Sequence, residues 1–315
     1  MSHRRHETMA ALLFLLPNAL GFLIFSFLPI IASLTLAFFR WSPLSGMDQF
    51  FETLDFVGLK NFWGVIGFHG HEESGLFAND PYFWKYLYNT VFLMMGIPVS
   101  IMGSLILASL LNRRLRGTRL FVTVFFLPSI TSGVATFAIW LGLLNPETGL
   151  MNAILGAIGI PGPDWLNSVA WAKPSLIMMG LWGSIGGYNM VLYIAALQTI
   201  PTELYEAAEI DGAGALHKFR YITWPMVSPT TFFIFTMSII GGFQGGFAAA
   251  YIMTRGGPLG STTSISYYIF NLAFSRNFEM GYASAVAWVL FLITFVLSVI
   301  NWKYGRKKVH GELAT

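Results

Sequence analysis

The chain has 315 residues, of which 55% are hydrophobic and 10% are charged. Soluble globular domains carry about 25% charged residues, so this composition excludes a water-soluble globule or a disordered chain and predicts an integral membrane protein. The absence of Cys excludes disulfides, thiolate nucleophiles and cysteine-ligated metals, and a net charge of +3 is too small to indicate a nucleic-acid partner.

Six apolar runs are long enough to span a hydrocarbon core of about 30 Å, which takes about 20 helical residues. The sequence therefore predicts an all-α integral membrane protein with six transmembrane helices. The predicted spans are residues 9–39, 86–111, 119–144, 172–197, 226–253 and 281–302. The first run follows a basic start but is too long for a signal peptide, so it is interpreted as a retained anchor. Residues 152–160, in the loop before the fourth span, are predicted to form a short interfacial helix.

The distribution of Lys and Arg predicts that both termini lie in the cytoplasm. With the N-terminus inside, twelve of the 18 basic residues fall on the inner side. They are Arg4, Arg5, Arg113, Arg114, Arg116, Arg119, Lys218, Arg220, Lys303, Arg306, Lys307 and Lys308. A two-to-one excess of this kind follows the positive-inside rule.

The sequence carries no sign of an energy source of its own. Ionisable residues fall at the span edges or in loops, whereas proton-coupled carriers usually place a carboxylate or His within the membrane. The P-loop pattern G-x-x-x-x-G-K-[ST] is absent, so ATP is not bound by that route. The six His residues show no spacing that predicts a metal site. Energy is therefore expected from a partner.

A distinctive loop lies between the fourth and fifth spans, at residues 199–225. Pro201 suits a first helical turn, and Glu203 and Glu206 complement the positive end of a helix dipole. Ala207 and Ala208 would leave a smooth surface that another protein can approach, and Gly212 would end the helix. The pattern predicts a short helix with a partner, although an interfacial helix without a partner also fits it.

In this loop the sequence resembles the permease subunits of bacterial binding-protein-dependent ABC importers. Glu206-Ala207-Ala208 precede Gly212 at the family's spacing, and Ile222 and Pro225 follow in register. Trp224 stands where Leu is usual, and as an apolar residue it can fill the same contact. Asp211-Gly212-Ala213 resembles the carbohydrate branch, which includes permeases for maltose, other oligosaccharides and glycerol phosphate.

Further segments match that branch in order and spacing along nearly the whole chain, and the first span and outer loop look like the first of the two permeases in such systems. These segments are Leu15-Leu16-Pro17, residues 56–62, Asn89-Thr90, residues 255–263 and residues 281–285.

The resemblance implies a single polytopic permease domain over residues 1–315, with a core transport domain at about 86–305. Its partners would be a second permease subunit, two ABC ATPase subunits, an extracytoplasmic solute-binding protein and membrane lipid. The chain would need no cofactor and perform no chemistry, because ATP and Mg would be bound by the ATPase subunits. The ATPase contact would use Glu203, Glu206, Ala207, Ala208, Asp211, Gly212 and Ala213.

A sugar pathway needs hydrogen-bonding groups and aromatic faces and does not need charge. The fourth and fifth spans supply such residues. The pathway candidates are Trp182, Gly186, Asn189, Phe243, Gln244, Gly246 and Tyr251. On a continuous helix Trp182, Gly186 and Asn189 would share one face. The same residues also suit tight helix packing, so both interpretations stay open at this point.

Three alternatives remain at this stage. A permease for an amino acid or phosphate would share the loop motif, although the long first span and large outer loop argue against it. A membrane-embedded enzyme would need a catalytic constellation, which the sequence does not show. A stand-alone carrier would not need an acidic helix in this loop.

Overall fold

The computed structural model describes residues 2–45, 50–71, 75–112, 117–275 and 278–311. Four arginines that enter the charge count, Arg113, Arg114, Arg116 and Arg276, lie outside these ranges. The chain forms two compact units, residues 1–83 with 269–291 and residues 84–268 with 292–315.

The first unit contains the N-terminal helices and two small hairpins. Its helices are α1 (Ser2–Phe22), α2 (Leu28–Leu36), α3 (Phe50–Thr53) and α4 (Lys60–Ile66). Strands β1 (Phe39–Arg40) and β2 (Asp55–Phe56) pair antiparallel, as do β3 (Phe68–His71) and β4 (Gly75–Ala78). The Asn61 side chain donates hydrogen bonds to the carbonyls of Ala37 (2.9 Å) and Phe39 (3.0 Å), which holds α4 against the end of the first span.

All regular secondary structure among the described residues of the second unit is helical. Its helices are α5 (Pro81–Leu93), α6 (Gly96–Leu111), α7 (Thr118–Ile130), α8 (Gly133–Leu143), α9 (Leu150–Ala157), α10 (Ala172–Ile185), α11 (Tyr188–Gln198), α12 (Thr202–Ile210), α13 (Ala215–Lys218), α14 (Trp224–Gln244), α15 (Phe247–Ala249) and α16 (Ile265–Phe270). Helix α5 begins in the first unit, and α17 (Met280–Gly311) has residues in both. Helix α16 also ends within the first unit, and π-helical turns follow α13 at Phe219–Thr223 and α15 at Ala250–Thr254. In the first unit, π-helical turns lie at Leu23–Phe27 and Asn271–Ser275.

Five helices among the described residues are long and apolar enough to cross a membrane. They are Leu12–Leu36, Pro81–Leu111, Ala172–Gln198, Ala215–Gln244 and Met280–Lys303. A sixth span is obtained if α7 and α8 count as one, although they bend by 97°. The predicted third span at 119–144 is thus a bent pair, and the fifth ends at Gln244 because Gly245 and Gly246 interrupt the helix.

Among the described residues, two buried clusters contribute to the core of the second unit. One includes Leu105, Met190, Tyr193 and Val227, which belong to α6, α11 and α14. The Tyr193 hydroxyl, buried within this cluster, donates a hydrogen bond of 3.0 Å to the Thr231 hydroxyl. The other is formed around α8 and α10 by Trp140, Leu144, Trp165, Leu176, Met179 and Met253. These contacts fix the helices that carry the candidate functional residues.

Polar side chains of α5 hold a long irregular segment at residues 255–264. The buried Asn89 amide donates hydrogen bonds to the carbonyls of Gly260 (2.9 Å) and Thr263 (3.1 Å). Thr90 accepts a hydrogen bond from the Ile265 amide at 3.0 Å, and the Lys85 ammonium donates to the Leu259 carbonyl at 2.7 Å. The segment is therefore an ordered part of the unit.

Candidate functional site

Helix α12 carries the motif residues of the loop and begins one residue after the predicted Pro201. Its end is a Schellman motif, in which the Ala213 amide donates to the Ala208 carbonyl (2.8 Å) and the Gly212 amide donates to the Glu209 carbonyl (3.0 Å). Gly212 adopts φ +77°, a left-handed conformation that glycine tolerates best. The glycine of the motif therefore ends the helix, as its position predicts.

One face of α12 is anchored to the second unit. Tyr205 packs against the buried cluster around Val227, and its hydroxyl shares a hydrogen bond of 2.9 Å with the Thr223 hydroxyl. Trp224 packs against the same cluster, so it makes the apolar contact that was expected of it. This anchoring fixes the position of α12 at the start of α14.

The other side of α12 is exposed. Glu203, Glu206, Ala207 and Asp211 are exposed, while Ala208 and Ala213 are half-buried. Large apolar side chains of α12 are also exposed, Leu204 to 44% and Ile210 to 87%, as is Leu216 in α13. Carboxylates mixed with exposed apolar side chains on an anchored helix are typical of a protein contact surface.

Glu209 is the acidic residue of α12 that has an ion pair within the chain. The Lys218 ammonium donates a hydrogen bond of 2.6 Å to its carboxylate. This hydrogen bond and the positive charge of Lys218 lower the pKa of the Glu209 carboxyl. Glu209 therefore stays ionised and is already paired with Lys218. Glu203 and Glu206, in contrast, have no ion pair with any described residue.

A cavity of about 460 Å³ lies among α5, α6, α10 and α14 of the second unit. Most of its lining is apolar or glycine, and its described lining contains no charged side chain. The polar residues that line it are Thr90, Ser100, Ser184, Asn189, Ser238 and Ser264. The Ser100 hydroxyl is buried and has no hydrogen-bond partner among the described residues.

The pathway candidates do not all meet in this cavity. Asn189 and Gly246 line it, together with neighbouring glycines of α14. Phe243 is 3% exposed and belongs to the core, and Gln244 is exposed. Tyr251 lines a separate recess.

Trp182 and Gly186 have packing roles in the structure. Trp182 contacts Trp140 edge to face, with ring centroids 5.9 Å apart. A Cβ added at Gly186 would overlap the Phe125 carbonyl oxygen, so this glycine allows α7 and α10 to approach closely. Helix α10 ends at Ile185 and α11 begins at Tyr188, so the expectation that Trp182, Gly186 and Asn189 share a continuous helix face is wrong.

The serines of the cavity were not predicted from the sequence. Hydroxyl residues inside apolar runs are a signal for such a site, but a serine in a helix often bonds its own backbone. Ser104 does so by donating to the Ser100 carbonyl at 2.7 Å, while Ser100 one turn earlier opens on the cavity. Which of these two serines lines the cavity depends on how α6 packs against α10 and α14, and the sequence alone does not show that packing.

The chain belongs to the family of binding-protein-dependent transport system inner membrane components, whose model matches residues 83–304. It is 38% identical over 299 residues to the probable ABC transporter permease protein YurN of Bacillus subtilis (strain 168), covering 93% of this chain and 95% of the relative. It is also 38% identical to the lactose transport system permease protein LacF of Rhizobium radiobacter, over 78% of this chain and 83% of the relative.

A solved structure has the same fold. A chain of the bacterial ABC transporter involved in import of the acidic polysaccharide alginate superposes with a TM-score of 0.78 over 96% of each chain, at 22% sequence identity. The role of permease subunits in this family is transport, and ATP hydrolysis is carried by separate ATPase subunits.

We predict that Gly186→Ala destabilises the protein. Its Cβ would overlap backbone of α7, and overpacking of this kind costs about 1–3 kcal/mol. The apparent melting temperature of the purified chain in detergent should fall by several degrees. Gly183→Ala is the matched control, because Gly183 lies in the last turn of α10, shortly before Gly186, and an added Cβ would have no neighbour within 4 Å. Equal melting temperatures for the two variants would refute the packing role.

Proposed function

We propose that this chain is the transmembrane permease subunit of an ATP-driven importer for a sugar or sugar-like solute, and that α12 is its contact with the ATPase. The observation that carries the proposal is the structure of α12. The family's Glu-Ala-Ala and Gly residues form an anchored helix whose acidic and apolar side chains are exposed at Glu203, Glu206 and Ile210.

The sugar assignment is supported by the relative LacF, which is named for lactose transport. It also fits the cavity, whose described lining combines an amide and several hydroxyls with apolar surface and holds no charge. A neutral polyhydroxyl solute can be bound by such groups, whereas phosphate would call for a basic residue or an array of backbone amides. The core transport domain is proposed at residues 86–305.

The proposed assembly consists of this chain, a second permease subunit, two ATPase subunits and an extracytoplasmic solute-binding protein, set in membrane lipid. ATP and Mg would be bound by the ATPase subunits. The chain would cross the bacterial inner membrane six times, with α7 and α8 together forming the third span and both termini in the cytoplasm.

Charge reversal at Glu206 should abolish ATP-coupled uptake. Glu206→Lys places a cation where the exposed face of α12 is acidic, and Gly212→Leu strains the left-handed turn that ends the helix. Both variants should reach the membrane in normal amounts but fail to co-purify the ATPase subunits from detergent extracts. Glu147→Lys, at an exposed loop position outside α12, is the matched charge control. Normal uptake and normal ATPase recovery with Glu206→Lys would contradict the assignment.

Asn189 should be required for solute passage but not for assembly. Asn189→Ala removes an amide that lines the cavity, and losing one hydrogen bond to a sugar hydroxyl costs about 0.5–1.5 kcal/mol. Sugar uptake should fall about 2- to 10-fold, while ATPase recovery and basal ATP hydrolysis stay normal. Asn167→Ala, which alters an exposed loop amide, is the control. If uptake by Asn189→Ala equals that of the control, solute does not use this cavity.

Reporter fusions test the topology. Fusions after residues 65 and 155 should report the outer side, and fusions after residues 115 and 213 and at the C-terminus should report the inner side. An inner signal at residue 65 would reverse the proposed orientation and would place α12 on the wrong side for an ATPase.

A further inference from the structure

Three aromatic rings meet at the end of the fifth predicted span, beyond the interruption at Gly245 and Gly246. Phe247 and Tyr251 stack nearly parallel, with centroids 5.6 Å apart and an interplanar angle of 9°. Tyr267 meets Phe247 at 6.0 Å and Tyr251 at 6.1 Å, both edge to face. Beside these rings lies a recess of about 430 Å³, lined by Tyr251, Ile252, Arg255 and Tyr267.

Tyr267 forms a buried wall of this recess, and Tyr251 forms an exposed one. Tyr267 is 8% exposed, and its ring packs against Gly256, where an added Cβ would lie 3.1 Å from the ring carbon Cε1 and overlap the Thr263 hydroxyl. Tyr251 is 51% exposed and lines the recess, with its ring stacked on that of Phe247. A surface of this kind can stack on a flat, partly apolar ligand.

Arg255 lies at this recess in an unusual backbone conformation. Its φ is +49°, in the left-handed region, which non-glycine residues rarely adopt and where a helix end usually places Gly. The guanidinium has no hydrogen bond or ion pair with any described residue, and the recess lining contains no carboxylate. A cation thus occupies a position where glycine would be less strained.

We propose that this recess binds a sugar ring bearing a carboxylate, such as a uronic acid residue, with the ring stacked on Tyr251 and the carboxylate paired with Arg255. The inference rests on the proposed function, because it takes the solute to be a saccharide. Arg binds a carboxylate through two parallel hydrogen bonds, and sugar rings stack on aromatic faces. The recess volume lies in the range of about 300–1,000 Å³ that small-molecule sites occupy.

The site is distinct from the interior cavity in its chemistry. The described lining of the cavity is uncharged and carries amide and hydroxyl groups, whereas the recess offers a cation and aromatic faces. On the proposed topology the recess lies at the outer end of the fifth span. It would therefore contact a solute before the cavity does and would favour acidic over neutral saccharides at that step.

The test measures binding of two probes to the assembled importer in lipid nanodiscs by isothermal titration calorimetry. The probes are an α-1,4-linked galacturonate disaccharide and the corresponding galactose disaccharide. The wild-type importer should bind the acidic probe at least 10-fold more tightly. Arg255→Gln should remove this preference while leaving the affinity for the neutral probe unchanged, and Tyr251→Ala should weaken both. Lys60→Gln, which removes another predicted outer cation, is the control and should change neither.

A second measurement decides whether the recess is open in the assembly. The chain has no Cys, so Ile252→Cys places the chain's single thiol in the recess lining, where it can react with a membrane-impermeant maleimide while Tyr251 and Arg255 stay in place. Labelling from the outer side should occur, and the acidic probe should slow it. If the thiol is not labelled in the assembled importer, the partner permease covers the recess and the inference is overturned.

Equal affinity of wild type and Arg255→Gln for the acidic probe, or no binding by the wild type, would also overturn the inference. Such a result leaves the proposed function intact when the same preparation retains ATPase subunits and its ATP hydrolysis rises with a sugar-loaded binding protein. Failure of the importer to assemble with any ATPase would instead overturn the proposed function. The two failures are thus distinguishable.

Discussion

A hydrocarbon environment offers no water to hydrogen-bond a freed backbone group, so each helix interruption in a spanning segment must be satisfied from within the protein. The interruption after α14 meets this constraint through side chains. The Gly245 amide still donates to the Gly241 carbonyl at 2.7 Å, and the Gly245 carbonyl accepts a hydrogen bond of 2.6 Å from the Ser266 hydroxyl. The helix can therefore be interrupted beside the cavity while the Gly245 carbonyl keeps a hydrogen bond.

The same constraint explains why polar residues of the second unit are mostly hydroxyls and amides. Thr90, Ser104 and Thr231 each donate to the carbonyl four residues earlier, at 2.7–3.1 Å, so they enter apolar helices at little cost. A charged side chain at the same depth would need a paired partner. Serine and threonine residues therefore line the cavity, and its described lining contains no charged side chain.

Much of this architecture could be predicted from the sequence because it depends on local properties. Apolar runs predicted most of the spans to within a few residues, whereas the fifth covers Ala215–Gln244 and not 226–253. The glycine of the loop motif predicted the end of α12, since a left-handed turn there favours Gly212. The 97° bend between α7 and α8 and the interruption at Gly186 could not be predicted, because both depend on what lies beside the helix. The conformation of the segment held by Asn89 could not be predicted either, since that residue donates to carbonyls 171 and 174 residues away.

Of the predicted pathway residues, only Asn189 and Gly246 line the cavity, because aromatic and glycine residues serve packing as readily as binding.

The geometry of α14 suggests how an ATPase contact at α12 would reach the pathway under the proposed function. Helix α12 is fastened to the start of α14 by the Tyr205 and Thr223 hydroxyls, 2.9 Å apart. From there α14 continues for 21 residues, which at about 1.5 Å each gives a rod of about 30 Å. The rod ends at the glycine interruption beside the cavity, and the bond between Tyr193 and Thr231 ties it to α11, which supplies Asn189. A displacement of α12 would therefore move the Asn189 wall and the glycine wall of the cavity together. The interruption at Gly245 and Gly246 would then flex most readily, because it lacks the continuous hydrogen bonding of the helices on either side.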